Sequence, residues 1–230
     1  MDDLRQGVVL ITGGSRGIGL ACAEAFLRGG ARVAISAREK HALGKAEERL
    51  SALGDVAIVE SDVGERAAAG SGVEQVLRRF GRIDVLVNNA GQAWVGYFAN
   101  QPWDRIDTLV NTNVKGVLYM TRATLPYMLA QGSGAIINIA SGAGKSGFPG
   151  FAVYCATKFA VVGFTESLAA EVADRGVRVH SVCPGAVATD MQAQIGGGRG
   201  MPPEQVATQV VNLSGPHPPI AAGQCLEIYS

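Results

Sequence analysis

Two side chains that together can move a proton stand four residues apart in the segment YCATK at 154–158. Residues at positions i and i+4 share one face of a helix, so the Tyr154 phenol and the Lys158 ammonium group would point toward the same place. A free tyrosine has a pKa of about 10. Because a nearby cation favours the phenolate, we expect Lys158 to lower the pKa of Tyr154 and make it an acid or base usable nearer neutrality. Taken alone, the pair is also typical of an ordinary amphipathic helix.

A glycine-rich segment, TGGSRGIG at 12–19, lies between the first predicted strand and the first predicted helix. Glycines let the backbone turn sharply and approach a pyrophosphate, while the helix N-terminus presents free N–H groups. This position predicts a dinucleotide site. Enzymes that prefer NAD usually have an acid at the end of the second strand, but here Arg38 follows that strand. Arg38 and Arg16 would suit a 2′-phosphate, which favours NADP(H), although both could be solvated surface arginines.

Two further segments follow predicted strands and would share the same crevice. Asp62 and Val63 come after the third strand and could hydrogen-bond an adenine amino group, although Asp62 also suits an ordinary helix N-cap. NNAG at 88–91 ends the fourth strand, although asparagine and glycine are also common in turns. Ligands of open parallel sheets bind beyond the carboxyl ends of the strands, so position gives both segments their functional interpretation.

Short β-branched runs alternate with longer helical patterns along the whole chain. The predicted strands cover 8–11, 31–36, 56–60, 83–88, 135–140, 177–182 and 225–229. The predicted helices cover 17–29, 39–53, 65–80, 103–131, 152–175 and 203–213. Several strands are apolar on successive residues, as expected for strands buried on both faces. The pattern predicts an α/β fold: one doubly wound Rossmann-type domain over residues 1–230, with a parallel seven-stranded sheet and helices on both faces.

Composition excludes several classes of function. Twenty basic and twenty acidic residues give no net charge, so we expect neither nucleic acid nor an anionic membrane surface as a partner. No apolar run approaches the roughly 20 residues that span a bilayer, and the N-terminus has no signal-peptide layout, which favours the cytoplasm. The three histidines are dispersed, so we predict no metal site. Reduced thiols are expected at all four scattered cysteines, Cys22, Cys155, Cys183 and Cys225.

Five segments in register resemble the short-chain dehydrogenase/reductase family. They are TGGSRGIG at 12–19, NNAG at 88–91, Ser141, YCATK at 154–158 and PGAVAT at 184–189. The 13-residue interval from Ser141 to Tyr154 also matches, and the resemblance extends over essentially the whole chain. It implies an oxidoreductase that transfers hydride between a nicotinamide dinucleotide and a carbonyl or alcohol substrate.

The resemblance implies four catalytic residues. Tyr154 would protonate the developing alkoxide, or act as the base in the reverse direction. Lys158 would lower the phenol pKa and hydrogen-bond the nicotinamide ribose. Ser141 would orient and polarise the substrate carbonyl, although a strand-end serine in a turn would look the same. Asn113 would hold a water in a proton relay behind the lysine, unless it is a solvent-facing polar residue or caps a local irregularity.

The same resemblance implies cofactor contacts along the whole crevice. The glycine-rich loop would bind the pyrophosphate, Asp62 and Val63 the adenine, Asn89 the adenosine side, and the segment from Pro184 to Thr189 the carboxamide end of the nicotinamide. The expected cofactor-binding residues are Gly13, Ser15, Arg16, Gly17, Ile18, Gly19, Arg38, Asp62, Val63, Asn89, Ala90, Gly91, Tyr154, Lys158, Pro184, Gly185, Val187 and Thr189.

These observations favour an NADP(H)-dependent carbonyl reductase acting on a small or medium ketone, with a 3-oxoacyl thioester among the candidates. An NAD-dependent alcohol or hydroxysteroid dehydrogenase is the first alternative, and a non-catalytic dinucleotide sensor on the same fold is the second.

The resemblance also implies a homodimer or homotetramer, formed by the apolar helices predicted over 103–131 and 152–175. Two features stay open: the glycine-rich segment 196–200 is either a substrate lid or a plain linker, and Trp94 lies either at the substrate mouth or in the core.

Overall fold

Seven parallel strands form one sheet in the order β3-β2-β1-β4-β5-β6-β7. The computed structural model describes residues 6–229; residues 1–5, the start of the N-terminal segment interpreted above, and Ser230 lie outside them. The strands are β1 Val8–Thr12, β2 Arg32–Ala37, β3 Val56–Glu60, β4 Val85–Asn88, β5 Gly134–Ile139, β6 Val177–Pro184 and β7 Cys225–Ile228. The doubly wound parallel sheet that the sequence predicts is confirmed, with strand ends shifted by one or two residues.

Eight α-helices connect the strands within residues 6–229. They are α1 Gly17–Arg28, α2 Lys40–Ser51, α3 Arg66–Phe80, α4 Trp103–Val110, α5 Gly116–Gln131, α6 Ala152–Glu171, α7 Asp190–Gln194 and α8 Pro203–Ser214. The single helix predicted over 103–131 is wrong in one respect, because a π-helical turn at Asn111–Lys115 separates α4 from α5. The short helix α7 was not predicted, since five residues are too few to show a helical period.

Alternate residues of β1 contribute to the two larger apolar cores of residues 6–229, one on each face of the sheet. Val9 and Ile11 of β1 face the layer that contains α1, α2 and α8. Val8 and Leu10 face the layer that contains α3, α5 and α6. All four side chains are buried, and each such burial stabilises the fold by about 1.5–3 kcal/mol. The two cores hold the sheet rigidly, so the carboxyl ends of its strands form a fixed edge.

A buried chain of polar side chains crosses the sheet below that edge. The Asn88 amide donates to Thr121 Oγ1 at 3.0 Å and to Asn138 Oδ1 at 2.8 Å. The Asn138 amide in turn donates to Thr165 Oγ1 at 2.9 Å. An unpaired buried amide would cost about 1–3 kcal/mol, so these bonds specify how α5 and α6 sit on β4 and β5. Asn88 therefore has a structural role that the turn interpretation of NNAG did not anticipate.

The cysteine prediction is wrong for two of the four residues. Cys183 in β6 and Cys225 in β7 form a disulfide, with their Cα atoms 6.4 Å apart. Cys22 and Cys155 are free and buried. The pairing joins neighbouring strands from residues 42 positions apart, a proximity that spacing along the chain does not reveal.

The apolar residues on the long helices divide into two groups. Five apolar residues of the helices predicted over 103–131 and 152–175, the proposed subunit interface, are buried within the subunit: Leu109, Val117, Met120, Val162 and Leu168. Leu118 on α5 and Phe159 on α6 are exposed, as is Tyr127. Fewer apolar side chains of these helices are therefore exposed, and so available for a subunit interface, than the sequence suggested. Within residues 6–229, no helix is both long enough and apolar enough to cross a bilayer.

Candidate active site

A cavity of about 780 Å³ lies along the carboxyl edge of the sheet. It is lined by every predicted cofactor-binding residue except Gly19, and by Ser141, Tyr154 and Lys158 of the predicted catalytic set. Asn113 does not line it. Residues from the ends of β1, β2, β4, β5 and β6 thus meet at one place because parallel strands all end at the same edge.

The glycine-rich loop exposes the N-terminus of α1 to this cavity. No side chain caps the first turn of α1, and that turn contains no acidic residue. Its N–H groups are therefore available to an anion. Gly13 has a φ of +64°, and a Cβ there would lie 2.9 Å from the Cα of Ala90. Gly17 also has a positive φ, of +56°. The free donors and the bare backbone fit the pyrophosphate of a dinucleotide.

Gly19 has a different role from the one expected. A Cβ on Gly19 would collide with the carbonyl oxygen of Gly13, so the residue lets α1 pack closely against the loop. Gly19 does not line the cavity, and its contact with the pyrophosphate stays a prediction. The helix could not approach the loop so closely if any side chain stood there.

The NNAG turn holds the glycine-rich loop in place. The Asn89 side-chain amide donates to the carbonyl oxygens of Thr12 and Gly13 at 2.9 and 3.1 Å. The backbone amides of Asn89 and Ala90 each donate to Thr12 Oγ1 at 3.0 Å. Asn89 lines the cavity as predicted, but its side-chain donors serve the loop itself. These bonds hold the glycine-rich loop in one conformation before any ligand binds.

Charged side chains surround one part of the cavity. Arg38 lies 3.8 Å from Asp62, and Arg16 lies 3.9 Å from Asp190 across the crevice. All four side chains are exposed, so each ion pair contributes about 0–1 kcal/mol and either arginine can exchange its partner for a phosphate. Glu39 also lines the cavity. Glu39 was not predicted from the sequence, because it lies two residues beyond the end of β2.

Asp62 and Val63 occupy the turn that follows β3. One carboxylate oxygen of Asp62 accepts a hydrogen bond from the Gly64 amide at 2.9 Å. The N-cap position of α3 is Glu65, so the alternative interpretation of Asp62 as that helix cap is wrong. Val63 is buried beside it. Both residues line the cavity, as predicted.

Three of the predicted catalytic side chains converge where β5 ends and α6 begins. Ser141 Oγ accepts a hydrogen bond from the Ala143 amide at 3.1 Å and also hydrogen-bonds the Tyr154 phenol. Lys158 is buried, and its Nζ donates to the carbonyl oxygen of Ile139 at 2.9 Å. The same Nζ lies 5.7 Å from the centroid of the Tyr154 ring. The hydroxyl, phenol and ammonium group thus share one end of the cavity.

The acid–base properties of this trio differ from the prediction. Burial raises the pKa of Tyr154 above its ordinary value of 10.0, and the Ser141 hydrogen bond lowers it only in part. Burial lowers the pKa of Lys158 to about 8. The pKa of the phenol is therefore raised on balance, although Lys158 was expected to lower it. The ammonium group is hydrogen-bonded to the Ile139 carbonyl, and desolvation of the phenol dominates.

Asn113 is a buried residue of the π-helical turn. Its Oδ1 accepts from the Gln92 amide at 2.8 Å, and its Nδ2 donates to the Gln92 carbonyl at 2.9 Å and to Thr157 Oγ1 at 3.1 Å. The solvent-facing alternative is therefore wrong, and the local irregularity is real. A Cβ on Gly91 would lie 3.5 Å from Asn113 Oδ1 and 3.7 Å from Lys158 Nζ. Asn113 and Lys158 thus face each other across Gly91.

The segment after β6 closes the far side of the cavity. The Gly185 amide donates to the Ile228 carbonyl at 2.9 Å, and Thr189 caps the short helix α7. The Met201 amide donates to the Ala186 carbonyl at 2.9 Å, which anchors the end of the glycine-rich segment 196–200. Within that segment Gly197 lines the cavity.

Several residues that line the cavity were missed from the sequence. They are mostly apolar or aromatic and include Phe148, Phe151, Met191, Ile195 and Tyr229, together with Gln92, Arg105 and Thr112. Two phenylalanines three residues apart, just before YCATK, were the available signal. Trp94 is not among the lining residues; its ring packs over Gly96. Residues 6–229 contain no group of three or more His, Cys, Asp or Glu side chains that could hold a metal ion.

Comparison with known proteins decides the family. The sequence model of the short chain dehydrogenase family matches residues 7–199. The chain belongs to this family. This short-chain dehydrogenase is 35% identical over 240 aligned positions to a 3-oxoacyl-[acyl-carrier-protein] reductase from Thermotoga maritima, which covers 98% of this chain and 97% of the relative. It is 39% identical over 189 residues to a 2-(R)-hydroxypropyl-CoM dehydrogenase from Xanthobacter autotrophicus, covering 80% and 76%.

A solved structure agrees with this assignment. The 3-ketoacyl-(acyl-carrier-protein) reductase from Brucella melitensis, complexed with NADH, superimposes with a TM-score of 0.91. The two chains are 32% identical, and 98% of each is covered. The resemblance stated from the sequence is confirmed. The dehydrogenase is an oxidoreductase whose fold and family imply a nicotinamide dinucleotide cofactor.

Proposed function

We propose that this dehydrogenase transfers hydride between NADP(H) and a ketone or secondary alcohol, with Tyr154 as the general acid and base. One observation carries the proposal: Ser141, Tyr154 and Lys158 converge in the cavity into which the glycine-rich loop also opens. A protein that only senses a dinucleotide has no need of a proton-transfer group there. The whole chain would act as a single dinucleotide-binding and catalytic domain.

The chain's own residues account for the proton chemistry. A bound nicotinamide would supply the hydride. Ser141 Oγ accepts a hydrogen bond from the Ala143 amide, so its own proton can pass from the Tyr154 phenol to the carbonyl oxygen of a bound substrate. Tyr154, whose pKa is raised by burial, is protonated at neutral pH and donates its proton to that oxygen as negative charge develops. The Lys158 cation stabilises the phenolate left behind.

Asn113 acts as a positioning residue in this proposal. Its hydrogen bonds to Gln92 and Thr157 connect the loop after NNAG with α6, the helix that carries Tyr154 and Lys158. A water relay behind Lys158 remains a prediction. The geometry that favours it is the approach of Asn113 and Lys158 on either side of Gly91.

The choice of cofactor rests on the charged part of the cavity. Arg16 and Arg38 both line it, and each guanidinium is exposed and held only by a weak ion pair. A 2′-phosphate dianion would bind them more strongly than single carboxylates do. One observation favours NAD instead: Glu39 lines the same region and could accept hydrogen bonds from a ribose 2′-hydroxyl. An NAD-dependent dehydrogenase is therefore the second candidate.

The partners proposed are a small-molecule carbonyl or alcohol substrate and further copies of the chain. Leu118 on α5 and Phe159 on α6 remain exposed in the subunit, which supports a homodimer or homotetramer through these helices. A cytoplasmic location stays a prediction, and the disulfide between Cys183 and Cys225 is uncommon in that compartment.

The proposal is tested by following NADPH and NADH oxidation across a panel of ketones, diketones and 3-oxoacyl thioesters. We expect turnover with NADPH, and a loss of about a thousandfold in kcat for Tyr154→Phe with an unchanged dinucleotide Kd. Tyr127→Phe, at an exposed position on α5, is the matched control. Faster turnover with NADH would favour the NAD-dependent alternative. Tight dinucleotide binding without turnover of any compound would favour the sensor.

A further inference from the structure

Part of the cavity lining is aromatic and apolar, although Gln192 and Gln194 of α7 also line the cavity. Phe148 and Phe151 come from the loop before α6, Met191 and Ile195 follow from α7, and Tyr229 lies against Gly142 and Gly185. The ring centroids of Phe151 and Tyr154 are 6.0 Å apart, with the rings tilted by 59°. Offset and tilted ring pairs at such separations are favourable, so Phe151 forms a surface continuous with the proposed proton donor.

Phe148 extends this surface toward solvent. Its side chain is 49% exposed although it lines the cavity. Fully burying a phenylalanine side chain contributes about 1.5–3 kcal/mol. Because Phe148 is only half-buried, a ligand that covers it would gain part of this free energy. The loop that carries Phe148 is well held: the Phe151 amide donates to the Phe148 carbonyl at 3.1 Å, and Gly96 donates to Gly150 at 2.9 Å. A ring placed here would meet a preformed surface.

The cationic side chains of this region mostly have other partners. Lys145 belongs to the same loop but pairs with Glu227 at 3.8 Å and does not line the cavity. Arg16 and Asp190 pair with each other beside the glycine-rich loop. Arg105 on α4 also lines the cavity and is exposed. Among the described lining residues it is the one exposed cation that is not proposed to bind the cofactor. An anionic acyl carrier would therefore have to rely on Arg105, whereas a neutral ring would contact Phe148 and Phe151.

We infer that the substrate is a neutral carbonyl compound with an aromatic or apolar ring next to the reacting carbon, and that Phe148 and Phe151 determine this specificity. The inference rests on the proposed function, since it places the substrate carbonyl at Ser141 and Tyr154. The ring would lie against the two phenylalanines while the carbonyl oxygen faces the hydroxyl and the phenol. A short linear ketone would reach the same polar groups without the aromatic contact.

The experiment compares kcat/KM with NADPH for acetophenone, 2-butanone and 3-oxobutyryl-CoA in the wild type and in single variants. We expect acetophenone to be preferred, and Phe148→Ala and Phe151→Ala each to lower its kcat/KM about tenfold to hundredfold with little effect on 2-butanone. Phe98→Ala, at an exposed position outside the cavity, should leave all three values unchanged. Arg105→Ala should not affect acetophenone.

Two results would overturn the inference: equal losses for acetophenone and 2-butanone in the phenylalanine variants, or a preference for 3-oxobutyryl-CoA that Arg105→Ala removes. Absence of turnover with every carbonyl would contradict the proposed function instead. In that case the inference is tested by calorimetry, which measures the Kd of 1-phenylethanol and of 2-butanol for the protein with NADPH bound. Tighter binding of 1-phenylethanol that is lost in Phe148→Ala supports it, and equal binding of the two alcohols contradicts it.

Discussion

The ammonium nitrogen of Lys158 lies 5.7 Å from the centroid of the Tyr154 ring, while its hydrogen bond goes to the carbonyl oxygen of Ile139. The cation therefore acts on the phenol through space. Burial raises the pKa of Tyr154 and lowers that of Lys158 to about 8. Near neutral pH the folded protein thus combines a protonated phenol with a largely charged lysine. Ketone reduction requires these two states, whereas alcohol oxidation requires the phenolate.

The first prediction concerns the pH dependence of the two directions. Reduction should be insensitive to pH near neutrality and decline as pH rises through about 8, because Lys158 loses its charge there. Oxidation of the alcohol should increase with pH as the phenol ionises. The measurement is kcat/KM in both directions at constant ionic strength. Lys158→Met should be slower in both directions and should lose the inflection near pH 8. An identical inflection in that variant would assign it to another group.

The second prediction concerns Arg38 and the choice of dinucleotide. Removing the guanidinium in Arg38→Ala should weaken NADPH binding about tenfold to hundredfold, because a charge-assisted hydrogen bond contributes about 1.5–3 kcal/mol. NADH has no 2′-phosphate, so its Kd should change little. Fluorescence titration measures both values. Arg28→Ala removes an arginine from the last turn of α1 outside the cavity and is the control. Unchanged NADPH affinity in Arg38→Ala would contradict the cofactor assignment.

The third prediction concerns acid stability and His180. This residue of β6 is fully buried, and burial, with the charge of nearby Arg178, lowers its pKa from 6.5 to about 4. Between these values the unfolded chain binds the proton and the folded protein does not, so stability falls as pH decreases. The free energy of unfolding should lose about 2 kcal/mol from this group between about pH 7 and pH 5.

Urea unfolding of His180→Leu at the two pH values tests this contribution. The variant should lose about 2 kcal/mol less on acidification than the wild type, because it cannot take up the proton. His217→Leu, at an exposed position, should behave like the wild type. Equal pH sensitivity of His180→Leu and the wild type would show that the histidine does not control acid stability.

The fourth prediction concerns assembly through α5 and α6. Light scattering should give the mass of a dimer or tetramer at micromolar concentration. Leu118→Glu or Phe159→Glu should shift the protein toward the monomer, because a carboxylate buried between subunits is strongly unfavourable. Tyr97→Glu, in an exposed loop before α4, is the control. A monomeric wild type would contradict the prediction.

The parallel sheet and several of the residues that line the cavity could be predicted from the sequence for related physical reasons. Strands buried on both faces show as consecutive apolar residues, and parallel strands end at one edge, so motifs at their ends must meet. The glycine-rich loop, Arg38, Asp62 and the NNAG turn all line the cavity for this reason. The spacing of Tyr154 and Lys158 on one helix likewise required only the helical repeat.

What the sequence by itself determined was therefore the order of elements and the residues brought to one edge, since both depend on local periodicity. Only the tertiary structure decided the rest. Asn113, in the π-helical turn that interrupts the predicted long helix, bonds Gln92 and Thr157, which are 21 and 44 residues away. The disulfide joins strands whose cysteines are 42 residues apart. The pKa of Tyr154 followed burial rather than its neighbour four residues on, because desolvation depends on everything packed around a group.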